Sequence, residues 1–431
     1  MRLVPISQRH LGLPSSKTVL QNSVPDGLST LNCRTLKIKL AAVTSQIAIF
    51  NSLGVAVASD TVTTHLRGQS AKTTSRAEKI WTLGDEHLAV ALHSGTVPIN
   101  GVNSRLFFTE WARTLDTPLE TLADYPTSFV SWISANAEVI APSSELELVH
   151  HFLNDHFYEI KNRTLRYLSG RNNEEDPSAV LKAYAQDGLE YLQGLELFEG
   201  TSDEHDAKVI DQLEINLDEK LSYIFKDIEG FEDSLEVLQE SAPLVLSRAQ
   251  DMDWDCLVSF VGFGRSEYFA KSVRTYLRGH YGGVTRCRID EPFGASNDDT
   301  SGSLATFAQS EAIHGFLRGA HTSLINEACN FVWESIFNLI EDETGEETAN
   351  RIEEELRTKI DEAQFKKFIS PMLDTIGGLP LVGLAELAES LVGMQATYSA
   401  AGTGPASVGG LIESLVIDRA RGVRWVNRLP L

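Results

Sequence analysis

Cysteine is scarce in this chain of 431 residues: Cys33, Cys256, Cys287 and Cys329 are scattered, with no Cys-x-x-Cys pair and no histidine at zinc spacing. That argues against a disulfide-built scaffold or a structural zinc site, and reduced thiols in a cytosolic protein are expected. Long apolar runs are also missing. No stretch approaches the roughly 18 uninterrupted apolar residues of a membrane span, so no membrane association is expected. Positive charge is in short supply, with 37 Lys and Arg against 60 Asp and Glu and a net charge of −23. A polyanion needs a basic footprint, so nucleic acid is not an expected partner. There is no His-Glu-x-x-His, no Gly-x-Ser-x-Gly elbow and no phosphate-binding loop. His150, His151 and His156 lie on an acidic helical stretch without metal spacing and read as a solvated or partner-facing surface. Gly262-Phe-Gly264 lacks the third glycine of a dinucleotide fingerprint and reads as a tight turn. Neither a metal nor a cofactor is expected.

What is present is uneven. Residues 1–43 hold Arg2, Arg9, Lys17, Arg34, Lys37 and Lys39 against Asp26, a net of +5 that leaves −28 on the remainder. This basic, Ser- and Leu-rich segment reads as a propeptide cut before Thr44, as an organelle-targeting sequence, or as upstream sequence from a misassigned start. The first and third readings are preferred, because no signal-peptide apolar core is visible. From Glu145 to about Gln250 the chain is rich in Glu, Leu, Lys and Ala, which predicts several amphipathic helices. A second acidic helical stretch covers about Leu324 to Phe368, and its acid runs read as a solvated face. Strands are predicted at Asp255–Gly264 and Tyr268–Ile289, and Val408–Ile417 with Gly422–Val426 reads as a final hairpin.

The most informative block begins at Thr44. Thr44 to Asp60 reads as two β-rich runs around an Asn51-to-Gly54 turn, a hairpin with an apolar inner face. Lys79 then opens an apolar run, and Ala89-Val-Ala-Leu-His-Ser-Gly-Thr96 follows. Singly, each residue has an ordinary structural reading. A Thr before a strand has high β-propensity, an Asp at a hairpin end caps a turn, and a Lys beside Ile sits at a sheet edge.

Taken in this order, the blocks resemble the start of proteasome β-type subunits and their bacterial relatives in the N-terminal nucleophile (Ntn) hydrolase superfamily. The resemblance implies an α/β (α+β) fold, a four-layer αββα sandwich of two antiparallel sheets. It implies one domain over 44–431, with large helical insertions at about 145–250 and 324–368. It further implies Thr44 as the nucleophile, Asp60 as the carboxylate, Lys79 as the ammonium, and Ser94-Gly95 as the turn supplying oxyanion donors, with Ser310 and Ser407 as auxiliary residues. A threonine hydroxyl needs a base, and in this family the free α-amino group of the same residue provides it. The implied activity is cleavage of a peptide or amide substrate through an acyl-enzyme on Thr44, in a cytoplasmic, autoprocessing homo-oligomer. A non-catalytic structural subunit and a small-molecule amidase of the same fold are the alternatives. Three departures stand out: a slightly long loop from Thr61 to Glu78, the helical excess, and Pro405-Ala-Ser-Val408 ahead of Gly409-Gly410. Catalytic proteasome subunits usually place an Asp and a Ser there.

Overall fold

In a computed structural model, the structure describes residues 44–67, 70–74, 76–95, 98–140, 144–169, 175–249, 256–295, 302–340, 344–402 and 407–428. The readings placed on residues 1–43 and on Pro405 lie outside these. The chain is a mixed α/β protein with two main antiparallel sheets.

Among the described residues eight strands come first: β1 (Ser45–Asn51), β2 (Gly54–Ser59), β3 (Thr63–Arg67), β4 (Ser70–Thr74), β5 (Ile80–Thr82), β6 (Ala89–Gly95), β7 (Pro98–Ile99) and β8 (Val102–Asn103). Seven α-helices follow among the described residues: α1 (Ser104–Ala112), α2 (Asp124–Ile140), α3 (Glu145–Ser169), α4 (Pro177–Gln193), α5 (Asp203–Gln212), α6 (Leu217–Phe225) and α7 (Leu235–Ser247). Strands return as β9 (Cys256–Gly262), β10 (Lys271–Tyr281), β11 (Val284–Ile289), β12 (Phe293–Gly294) and β13 (Ser303–Ala308). The chain then forms α8 (Glu311–Arg318), α9 (Thr322–Leu339), α10 (Gly345–Gln364), a π-helical turn at Phe365–Ile369, α11 (Ser370–Gly378), α12 (Leu381–Ala401), β14 (Glu413–Asp418) and β15 (Gly422–Asn427).

One sheet has the order β13-β1-β2-β14-β15 and the other β11-β10-β9-β6-β5, with β12 beside β10. The side-chain period of two decides what each face touches. On the first hairpin, Ile47, Ile49, Ala56 and Ala58 pack with Leu373 and Ile376 of α11 and with Leu384, Ala388 and Val392 of α12. Their neighbours Ala48, Phe50, Val55 and Val57 pack with Val90, Leu92 and Val261 of the other sheet. Ala89 and Ala91, with Val258 and Phe260, meet Phe107, Phe108 and Trp111 of α1 and Phe129 of α2. The hairpin therefore has two apolar faces where one was expected, and this explains the absence of polar alternation in its sequence.

The turn of that hairpin depends on close approach. Gly54 has φ +154°, and a Cβ there would run into the carbonyl oxygen of Ile417 on β14. The stretch after Asp60, expected as a loop, carries the β3–β4 hairpin, paired from Thr63↔Thr74 to Arg67↔Ser70.

Helices α3 to α7 bury a core of their own, including Phe152, Phe157, Leu181, Leu189, Phe225, Leu238 and Val245. Tyr281 of β10 belongs to the same cluster. Between α5 and β11, the buried Asp206 carboxylate bonds the buried Arg286 guanidinium, which also stacks 3.6 Å from the centre of the Tyr281 ring. His156 corrects the expectation of a solvated histidine face: its ring turns inward to Ser241 Oγ at 3.2 Å, because α7 covers that side of α3.

Burial, reinforced by nearby Arg278, pushes the His156 pKa down to about 4. Burial beside Arg318 and Arg274 pushes His314 down to about 4 as well. A histidine near pKa 6.5 when unfolded binds a proton there before it does in the native state. Stability should thus rise with pH from about 4 to 6.5, the span between native and unfolded values, and fall on acidification through it. Urea unfolding of the His156→Gln/His314→Gln variant should show a shallower slope across that window than the parent. An unchanged slope would show that other groups carry the acid sensitivity.

Candidate active site

Thr44 lies immediately before β1 and is only 5% exposed. Asp60 follows β2 directly, and the β1–β2 register brings the two ends of the hairpin together, Gln46 opposite Ser59. Asp60 N–H closes the hairpin by donating to Ser45 O at 3.1 Å. Lys79 immediately precedes β5, at the edge of the other sheet, and reaches across to the Asp60 carboxylate.

That carboxylate is the organising group. Its Oδ1 accepts from Ser45 N–H at 3.0 Å and from Lys79 Nζ at 2.7 Å. Its Oδ2 accepts from Val62 N–H at 3.2 Å and from Gly409 N–H at 3.1 Å. One oxygen thus touches both the amide that follows Thr44 and the ammonium of Lys79. Four donors satisfy a carboxylate that is fully buried, which makes its burial tolerable. Burial lowers the Lys79 pKa below its ordinary 10.5, and the contact with Asp60 opposes part of that fall.

The remaining expected residues are distributed around this centre. Ser94 and Gly95 are the last two positions of β6, opposite Leu257 and Cys256 of β9, so they end a strand ladder where a turn was expected. Gly95 has φ +81°, a left-handed conformation open to glycine. Ser94 Oγ is buried without a hydrogen-bond partner among the described residues. Ser310 lies just before α8 and is buried, with its hydroxyl 3.4 Å from Ala308 O. Ser407 Oγ donates to Gln309 Oε1 at 2.9 Å and shares a 3.1 Å contact with Ser399 Oγ.

Two glutamines were not singled out in the sequence. Gln46 Nε2 bridges the sheets, donating to Ser59 Oγ at 3.2 Å and to His93 O at 3.0 Å. An amide side chain in an otherwise apolar strand run was its signal. Gln309 N–H donates to Thr44 O at 2.9 Å, tying β13 to the start of β1. Its only signal was adjacency to Ser310. Among the described residues no group of three or more His, Cys, Asp or Glu could hold a metal ion, and no helix is long and apolar enough to cross a membrane. Cys256, Cys287 and Cys329 are free thiols.

No family model matches this chain, and no curated protein matches it. The chemical reading therefore stands on the geometry. Thr44 precedes the Ser45 amide that the Asp60 carboxylate accepts from, and the same carboxylate oxygen holds the buried Lys79 ammonium.

Proposed function

We propose that this chain is a threonine-type N-terminal nucleophile hydrolase that cleaves peptide or amide bonds, on a four-layer αββα sandwich. The observation that carries the reading is the bridging by Asp60 Oδ1 of Ser45 N–H and Lys79 Nζ beside Thr44. The apolar cluster shared by the two sheets, with helices packed on the outer face of each, supports the layered fold.

In the proposed reaction the free α-amine of Thr44 takes the Oγ proton, and Oγ bonds to the substrate carbonyl carbon. Backbone N–H groups at Ser94 or Gly95 hold the developing oxyanion, typically worth about 2.7–4 kcal/mol per donor. The C–N bond breaks as the amine returns the proton to the leaving nitrogen, which leaves an ester on Thr44. Water, deprotonated by the same amine, then attacks the ester carbonyl and releases the acid, and Thr44 regains its proton. Lys79 stabilises the oxygen that loses its proton, and Asp60 holds Lys79 in place. A homo-oligomer that encloses the site accompanies this reading.

The mechanism requires an unblocked Thr44 amine. Intact-mass measurement of protein isolated from its native host should show a chain beginning at Thr44. A retained 1–43 segment on active protein would sink the mechanism. The reading as a non-catalytic subunit has one observation in its favour: Val408 offers no hydroxyl, and the neighbouring Ser407 hydroxyl is already engaged by Gln309 and Ser399. Full retention of residues 1–43 on folded, inactive protein would support it.

A further inference from the structure

The two halves of the candidate site stand on different sheets. Thr44 and Asp60 flank the hairpin of β1 and β2, whereas Lys79 leads β5 and Ser94-Gly95 closes β6. Within the second sheet His93 N–H donates to Lys79 O at 3.0 Å, which holds the backbone at Lys79 and at His93 as one unit. Among the described residues no strand ladder joins that unit to the hairpin. Two side chains cross the gap: the Lys79 ammonium reaches Asp60 Oδ1 at 2.7 Å, and the Gln46 amide reaches His93 O at 3.0 Å.

Gln46 is fully buried, and the two-residue period of β1 puts it on the face of Ala48 and Phe50, which is turned to the second sheet. Its Nε2 also donates to Ser59 Oγ at 3.2 Å, and that hydroxyl donates to Asp60 O at 3.0 Å. One amide therefore holds the residue before Asp60 and the residue before Ser94. Its Oε1 is buried without a partner among the described residues. An apolar side chain such as those farther along this face avoids that cost, so packing alone does not account for an amide here.

We propose that Gln46 is a positioning residue for the acyl transfer, a role that rests on the hydrolase reading: its amide sets the hairpin bearing Thr44 against the strand end bearing the oxyanion donors. Holding His93 O fixes the planar peptide that leads into Ser94 and Gly95. Asn51, at the other end of β1, provides the contrast. Its Nδ2 donates to Ile376 O at 3.2 Å and Leu379 O at 2.8 Å, an amide tie of the same kind that joins the strand to α11 and the residues after it, away from Thr44.

A chain that begins at Thr44, reacted with a peptide epoxyketone over a range of concentrations and followed by intact mass, yields a limiting labelling rate and a half-saturating concentration. Gln46→Met keeps the length of the side chain and removes the donors. Its limiting rate should fall about 10- to 100-fold, since a displacement of about 1 Å between reacting groups is enough for a loss of that size. The half-saturating concentration should stay at the parent's value, because the interaction lost acts on the reaction and not on reagent binding. Asn51→Ala should lose stability to urea and keep the parent's limiting rate. Gln46→Asn retains the amide but shortens its reach by one methylene, so it should also be slowed, and it decides the point if Gln46→Met does not fold. A parent-like limiting rate in the Gln46 variants, or a change confined to the half-saturating concentration, would overturn the positioning role while labelling of the parent at Thr44 keeps the hydrolase reading standing. Equal slowing by Asn51→Ala would make Gln46 an ordinary structural tie and overturn it as well. A folded parent without any adduct would remove the hydrolase reading, and the role of Gln46 with it.

Discussion

A chain that begins at Thr44 is expected to be trapped covalently at that residue by a peptide epoxyketone or β-lactone, whereas Thr44→Ala should give no adduct. The epoxyketone adduct forms through both the hydroxyl and the adjacent free amine, so that adduct reports the proposed pairing directly. Loss of general-base action alone costs roughly 10²–10⁴-fold in rate, and loss of the nucleophile costs more. Turnover by Thr44→Ala should fall below detection while its hydrodynamic size is unchanged. The rate of the parent should climb on the acid side as the α-amine, with a reference pKa of about 7.7–8.0, loses its proton. On the alkaline side it should fall as Lys79 deprotonates, and burial places that limb below the ordinary 10.5. Peptide mapping that finds equal labelling of Thr44→Ala would assign the nucleophile elsewhere. No adduct on either folded protein would favour the non-catalytic subunit.

Asp60→Ala should cause the largest loss of stability among single changes at this site. It strands the Lys79 ammonium in a buried position without its carboxylate and removes the acceptor used by Ser45, Val62 and Gly409 N–H groups. Breaking a buried pair from one side costs about 3–5 kcal/mol, more than the net contribution of the intact pair, because an uncompensated charge remains. Asp60→Ala/Lys79→Met should consequently be more stable than Asp60→Ala alone, although equally inactive. Urea denaturation of the three proteins decides the point. A loss smaller than about 1 kcal/mol for Asp60→Ala, or no recovery in the double variant, would contradict a buried pair at this position.

Local structure and candidate residues were legible because they depend on neighbours in the chain. Apolar runs broken at Asn51–Gly54 mark β1 and β2, the Glu-, Leu-, Lys- and Ala-rich composition after Glu145 marks the helical stretch that opens with α3, and Gly422 marks the last hairpin. Thr44, Asp60 and Lys79 stood out for a related reason, since each bounds such a run. Misreadings arose where tertiary packing decided between local options. The first hairpin is buried on both faces because α11 and α12 cover one of them and the second sheet covers the other. His156 turns inward because α7 lies over it, and a polar residue on an acidic helix carries no mark of that neighbour.

The sequence by itself marked the first and last hairpins and the long helical stretches, which sign of charge dominates, and which small set of side chains could carry chemistry. Only the tertiary structure decided that Gly409 closes on Asp60 across 349 residues, that Gln309 reaches Thr44, and that Trp81 and Trp425 share a cavity. Periodicity encodes contacts one strand step or one helical turn away. Contacts between distant segments depend on sheet order and register, which are set when whole faces are buried together.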